Sequence, residues 1–67
     1  MKDSPLRNRE ILIEFHPVGN AVKVSAMDVQ TMTEISIQGP KSASELTLKN
    51  NALKRLEYVL KKKGLIQ

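Results

Sequence analysis

Hydrophobic and polar residues alternate with a period of two in three successive stretches of the first forty residues. The residues that this alternation puts on one common side are Ile11, Ile13, Phe15, Val22, Val24, Ala26, Ile35 and Ile37. Such a pattern is typical of strands with one buried face. Turn-forming residues separate the stretches at 17–20 and 28–32. Three strands joined by short turns predict an antiparallel meander with one hydrophobic face.

The hydrophobic period becomes helical after Gly39-Pro40, where we expect the sheet to end because proline cannot donate to a ladder. The residues predicted to share one face of this helix are Leu48, Ala52, Leu53, Leu56, Val59 and Leu60. Two residues are candidates for the N-cap of this helix. They are Ser42, with which Glu45 would complete a capping box, and Ser44. Gly64 followed by Leu65 predicts a Schellman end.

The helix has a hydrophobic stripe that matches the hydrophobic face of the sheet, so the two elements are expected to pack as two layers. The predicted fold class is therefore α+β, a three-stranded antiparallel meander followed by one C-terminal helix (βββα). Residues 10–67 form a single domain in this interpretation. Residues 1–9, which carry mixed charge without periodicity, are predicted to be a disordered N-terminal tail.

Composition narrows the classes of protein that remain. With 67 residues, the chain has room for one small core, which must be aliphatic because Phe15 and Tyr58 are the two aromatic residues. The sequence contains no cysteine, which excludes disulfide scaffolds and Cys-ligated zinc. No apolar run approaches the roughly 18 residues of a membrane span. The N-terminus lacks the hydrophobic block of a secretory signal, so we expect a cytoplasmic protein without membrane contact.

The formal net charge of +4 lies entirely in the C-terminal part of the chain. Residues 1–43 contain five basic and five acidic groups, whereas residues 44–67 contain six basic and two acidic groups. A concentrated positive charge indicates either an anionic partner or stabilisation of a helix C-terminus. For the run 61–63 we favour the second interpretation, because these lysines fall where the helix dipole attracts cations.

Tyr58 is predicted to lie on the face of the helix opposite the hydrophobic stripe, among basic side chains three and four residues away. The candidate interaction surface consists of Lys54, Arg55, Tyr58, Lys61 and Lys62. One interpretation is an anchor for a partner, or a ring that stacks on nucleic-acid bases. The other is a ring lying beneath basic side chains, stabilised by about 0.5–1 kcal/mol of cation–π attraction.

Catalytic chemistry has little support in the sequence, and we expect neither an enzyme nor a bound cofactor or metal. His16 lies next to Pro17 at a strand end, with no companion that spacing would bring to it. Glu10 and Glu14 share a strand face but lie about 13 Å apart. Paired glycosidase carboxylates need roughly 5–9.5 Å. The three glycines are too far apart for a phosphate-binding loop.

Two functional hypotheses follow. The first is a small non-enzymatic interaction module that docks on a protein partner or forms a homodimer. The homodimer would form by pairing of sheet edges or by exchange of the helix, since no predicted strand contains proline and Leu12 and Met27 lie on the outer face. The alternative is a nucleic-acid-binding protein that uses the basic face of the C-terminal helix.

One further set of residues carries a resemblance to known domains. The set is Glu14-Phe15-His16, Val18-Gly19-Asn20, Val22-Lys23-Val24, Ala26, Asp28, Thr31, Glu34-Ile35-Ser36-Ile37, Gly39-Pro40 and 56–64. Across Glu14 to Gly64 the chain resembles a small family of uncharacterised bacterial stand-alone domains. The resemblance implies a fold but no activity, since the function of that family is unassigned. Glycine is common in that family where Met32 stands, which implies a left-handed residue in the second turn.

A weaker likeness is to the C-terminal half of double-stranded RNA-binding domains, which end in three strands and a helix. The stretch Asn50-Asn51-Ala52-Leu53 is similar to the start of their final helix. Those domains bind phosphates with a basic cluster at the N-terminus of that helix, where this chain offers Lys41 and Lys49. The first helix of that fold is also missing. This likeness is an analogy between folds.

Overall fold

The computed structural model describes residues 6–67. It contains three antiparallel strands, β1 (Ile11–Val18), β2 (Ala21–Asp28) and β3 (Thr33–Pro40), in the spatial order β1-β2-β3. A single helix, α1 (Glu45–Lys62), follows and packs on one face of the sheet. The predicted α+β class and βββα order are therefore confirmed.

Two short loops connect the strands, and each contains a residue with a positive φ. Gly19 and Asn20 join β1 to β2, with Val18 paired to Ala21 and a φ of +61° at Gly19. A positive φ at the first loop position matches a type II′ hairpin turn, which glycine adopts without strain. In the second loop Met32 has a φ of 59°, so the left-handed residue implied by the family resemblance is present.

The core lies between the inner face of the sheet and one face of α1. Its fully buried hydrophobic residues are Val24, Ala26, Leu48, Ala52, Leu56 and Leu60. Every strand residue predicted to face inward belongs to this cluster or packs against it. Gly39 allows the close approach of α1, because a β-carbon there would clash with the side chain of Leu48. The amphipathic pattern of the sheet thus identified its core residues correctly. The helical pattern was correct for Leu48, Ala52, Leu56 and Leu60, whereas the predicted Leu53 and Val59 are half-buried and lie outside the core cluster.

Both ends of α1 are capped by side-chain or backbone hydrogen bonds. Ser44 is the N-cap, and its Oγ accepts a hydrogen bond of 3.1 Å from the backbone N–H of Thr47. Of the two predicted caps, Ser44 is thus correct and Ser42 is not. At the other end, Gly64 has a φ of +74° and donates its N–H to the carbonyl of Lys61. The N–H of Leu65 reaches the carbonyl of Leu60, which completes the predicted Schellman motif.

Two prolines lie inside strands, which corrects the prediction that no strand contains proline. Pro17 belongs to β1 and Pro40 to β3, although we expected each to end its strand. Both strands are edges of the sheet. Proline is tolerated there because its missing N–H falls on the side facing solvent. The edges therefore carry a protection against pairing with another chain that the prediction had not recognised.

Part of the segment predicted to be an N-terminal tail contacts the rest of the domain. Residues 1–5 of the tail lie outside the described residues. Leu6 packs against the core, and the side chain of Arg9 forms two hydrogen bonds to the carboxylate of Asp28. The missed element is a long-range ion pair, which hydrophobic periodicity does not report.

Candidate interaction surfaces

The five residues singled out on the helix lie together on the solvent side of α1, and we call them the Tyr58 surface: Lys54, Arg55, Tyr58, Lys61 and Lys62. They lie there because the opposite side of the helix is anchored by buried residues, of which Leu56 is fully covered. Tyr58 is 53% exposed. The core therefore does not account for an aromatic residue at this position.

Two of the four cations lie against the tyrosine ring. The Arg55 guanidinium carbon is 5.4 Å from the ring centroid, and the Lys62 ammonium nitrogen is 5.7 Å from it. Both distances are within the range of cation–π attraction. Lys61 is held instead by Glu57, four residues earlier, at 3.0 Å. The Tyr58 surface is thus a half-exposed ring flanked by two cations, with Lys54 exposed at its margin.

A second charged group lies at the C-terminal end of β2. Sequence reasoning did not find it as a unit. We call it the Asp28 cluster; it consists of Arg9, Asp28, Thr31 and Thr33. Asp28 is fully buried and accepts two hydrogen bonds from Arg9, at 3.0 and 2.9 Å. It also accepts hydrogen bonds from the N–H of Thr31 at 3.1 Å and from its hydroxyl at 2.6 Å. Sequence reasoning missed Arg9, because no local pattern marks a partner nineteen residues away.

The Asp28 cluster shifts the acidity of its carboxylate. The bond from Arg9 lowers the pKa of Asp28 to about 2, assisted by Thr31 and opposed by burial. The same ion pair raises the pKa of Arg9. All the bonding groups of Asp28 are thereby used within the fold, so the cluster is a structural element and not an open binding site.

The outer sheet face is the side of the sheet that α1 leaves uncovered. Its residues are Leu12, Glu14, His16, Lys23, Ser25, Met27, Glu34, Ser36 and Gln38. The small side chains of Ser25 and Ser36 lie next to Glu14 in one row across the sheet, so they leave a shallow depression of about 280 Å³. His16 Nε2 lies 3.1 Å from Glu14 Oε1 at its rim. Leu12, at 46% exposure, adds an apolar patch beside it.

The outer sheet face brings together one pair of groups of the kind that catalytic sites use, His16 and Glu14. His16 and Glu14 are both mostly exposed, so their contact lacks the enclosure that most catalytic sites provide. Within residues 6–67 no three His, Cys, Asp or Glu side chains lie close enough together to hold a metal ion. In the same part of the chain, no helix combines the length and the apolar character that crossing a membrane requires.

The fold and these surfaces define a small two-layer α+β domain with an open sheet face and a helix bearing an exposed tyrosine. The chain belongs to the DUF6898 family, a domain of unknown function, whose family model matches residues 8–63. This confirms the predicted membership of an uncharacterised small-domain family. No curated protein and no solved structure matches the chain. Bacterial origin and the likeness to double-stranded RNA-binding domains stay predictions.

Proposed function

We propose that this domain is a small non-enzymatic interaction module that binds an acidic protein surface through the Tyr58 surface. The observation that carries the proposal is a half-exposed tyrosine flanked by two cations at 5.4 and 5.7 Å. Tyrosine and arginine are the residues most enriched where binding energy concentrates. The ring is already ordered by its neighbours, which reduces the entropy lost when a partner binds.

A second copy of the chain is part of this proposal, as the predicted homodimer. Among residues 6–67, six hydrophobic residues are buried, and a core of this size rarely contributes more than about 3–5 kcal/mol. Large hydrophobic side chains are exposed at Leu12, Val18, Met32, Leu46, Tyr58 and Leu65. Association would cover part of this surface. Edge pairing is the less favourable geometry, because Pro17 and Pro40 lie on the two edges.

Nucleic-acid binding is the weaker candidate. A protein that holds single strands without sequence preference stacks successive bases on several aromatic rings. Phe15, the one other aromatic residue, packs against the core. The cytoplasmic location expected from the sequence belongs to the proposal as well.

A titration with poly-glutamate tests the Tyr58 surface directly. The chain has one tyrosine and no tryptophan, so its emission reports on Tyr58 alone. We expect poly-glutamate to change this emission and to shift the amide resonances of residues 54–62. Poly-lysine should do neither. Unchanged emission and unchanged amide resonances at saturating poly-glutamate would refute the proposal.

Matched variants distinguish specific binding at the Tyr58 surface from non-specific attraction between opposite charges. Tyr58→Ala retains every charge, and we expect it to bind poly-glutamate at least tenfold more weakly in the amide-shift titration. Lys41→Gln removes one exposed charge from the loop before α1 and should bind about as tightly as the parent chain. Equal affinity of Tyr58→Ala and the parent would mean that the ring takes no part.

A further inference from the structure

We infer that the Tyr58 surface of one copy docks on the outer sheet face of a second copy, in a head-to-tail contact. The inference rests on the proposed function and names its partner surface. It differs from the homodimer expected from the sequence, which would form by edge pairing or helix exchange, because here the helix of one copy contacts the sheet face of the other. The two faces match in charge, in apolar contact and in dimensions.

Charge favours unlike faces. The Tyr58 surface carries four cations, and Glu57 pairs with one of them, Lys61. Two Tyr58 surfaces placed against each other would therefore oppose like charges, which disfavours that contact. The outer sheet face carries the carboxylates of Glu14 and Glu34, with Lys23 as its single full positive charge. His16 is already in contact with Glu14. The outer sheet face is therefore the complementary surface.

Apolar contact is available at the same place. Leu12 is paired to Met27 in the sheet, and Met27 is paired to Glu34. The side chain of Leu12 is nearly half exposed and lies in the same row as a carboxylate. An aromatic ring flanked by cations needs this kind of partner, which combines an apolar patch for the ring with acids for its neighbours. Tyr58 would pack on Leu12 and Met27.

The two patterns of charge have similar dimensions. Lys54 and Lys62 are eight residues apart on α1, a rise of about 12 Å. Glu14 and Glu34 are separated by two strand spacings and by two residues along the strand, which also gives about 12 Å. In one orientation of the two copies, each of these two lysines can therefore reach one of the two carboxylates. The depression over Ser25 and Ser36 leaves room between the carboxylates for an approaching side chain.

The geometry determines what kind of assembly results. The two faces lie on opposite sides of a two-layer domain, so a pair formed in this way keeps one Tyr58 surface and one outer sheet face free. The Tyr58 surface has five residues, fewer than the roughly 20–30 residues per side of a stable interface. We therefore expect weak, concentration-dependent association that salt suppresses.

Sedimentation equilibrium over a range of protein concentrations tests the inference. At low salt the average mass of the parent chain should rise above 7.5 kDa with concentration, and added salt should return it to that value. The helix variant Tyr58→Ala/Lys62→Gln and the sheet variant Glu14→Gln/Glu34→Gln should each associate at least tenfold more weakly. An equimolar mixture of the two should recover a species of twice the monomer mass, because each retains the face that the other lacks.

The outcomes distinguish this inference from the proposed function. A sheet variant that associates like the parent, or a parent chain that stays at 7.5 kDa, overturns the head-to-tail contact. Neither result affects the poly-glutamate titration, which decides whether the Tyr58 surface binds an acidic protein surface. A parent chain that stays at 7.5 kDa would also remove the homodimer from the proposed function. The controls Lys41→Gln and Glu45→Gln remove the same kinds of charge outside both faces and should leave association unchanged. Circular dichroism establishes that each variant is folded.

Discussion

The Asp28 cluster and the Tyr58 surface each place an arginine beside an electron-rich group, but in opposite surroundings. In the cluster Arg9 forms two hydrogen bonds to a carboxylate with no exposed surface. In the surface Arg55 lies over a ring that is more than half exposed. The first arrangement is closed by Thr31 and leaves nothing to bind. The second leaves both the ring and the cations accessible.

The difference in solvent access determines what each arrangement contributes. A buried charge that loses its partner stays uncompensated in a medium of low dielectric constant, so the cost is large. An exposed cation that loses its partner is solvated by water, so the cost is small. We therefore expect substitutions in the Asp28 cluster to affect folding, and substitutions in the Tyr58 surface to affect binding.

Removal of the buried carboxylate should have the largest effect. Asp28→Ala leaves Arg9 and the N–H of Thr31 without their acceptor, and we expect a loss of about 3–5 kcal/mol in the free energy of unfolding. Because the whole fold is worth only about 3–5 kcal/mol, most of this variant should be unfolded at room temperature, as circular dichroism and chemical denaturation would show. The matched control Glu34→Ala removes an exposed carboxylate and should change stability by less than about 0.5 kcal/mol. Similar values for both variants would mean that the cluster contributes little.

The helix that carries the Tyr58 surface depends on the opposite face for its position. Leu56 is fully buried, and Leu56→Ala should cost about 2–5 kcal/mol through lost burial and a cavity. Most of this variant should be unfolded at room temperature, as its amide spectrum would reveal. Leu46→Ala, at a residue that is 64% exposed in the same helix, is the control and should remain folded. Well-dispersed resonances from Leu56→Ala would contradict the assigned core.

Acid should lower the free energy of unfolding through the Asp28 cluster. Because the pKa of Asp28 is lowered from 3.8 to about 2 in the folded state, its stabilisation is complete above about pH 4 and is lost as the pH falls towards 2. The loss should amount to about 2–3 kcal/mol. Denaturation at several pH values measures it, and Asp28→Asn should lack this component. An equally steep loss in Asp28→Asn would assign the effect to other carboxylates.

The turn that supplies Thr31 to the cluster contains a strained residue. Met32 has a φ of 59°, which costs a residue with a β-carbon about 1 kcal/mol relative to glycine. Met32→Gly should therefore raise the free energy of unfolding by up to about 0.5 kcal/mol, after allowance for the greater freedom of glycine when unfolded. The converse control is Gly19→Ala, at a φ of +61°, which should lower it. A lower midpoint in Met32→Gly would show that the methionine side chain contributes more than the strain costs.

Tyr58→Ala should have the smallest effect on folding and a clear effect on binding. Loss of its cation–π contacts costs about 0.5–1 kcal/mol, part of which the higher helix propensity of alanine returns. Denaturation and the poly-glutamate titration, applied to the same preparation, give both values. A large loss of stability would place Tyr58 with the structural residues and remove the contrast between the two regions.

The amino-acid sequence by itself determined the elements of this protein, their order and the core. These features depend on periodicity and on local cap chemistry, both of which are properties of neighbouring residues. The Schellman end at Gly64 and the exposure of Tyr58 follow from spacing alone. Membership of an uncharacterised family was likewise visible in residues 14–64.

Tertiary structure alone decided which distant groups meet. The bond between Arg9 and Asp28 joins residues nineteen apart, and no periodic pattern marks such a pair. Pro17 and Pro40 read as strand ends in sequence, yet they are tolerated within β1 and β3 because those strands became the edges of the sheet. The choice of Arg55 and Lys62 as neighbours of the Tyr58 ring was likewise settled by side-chain placement, since spacing alone offered four equivalent cations.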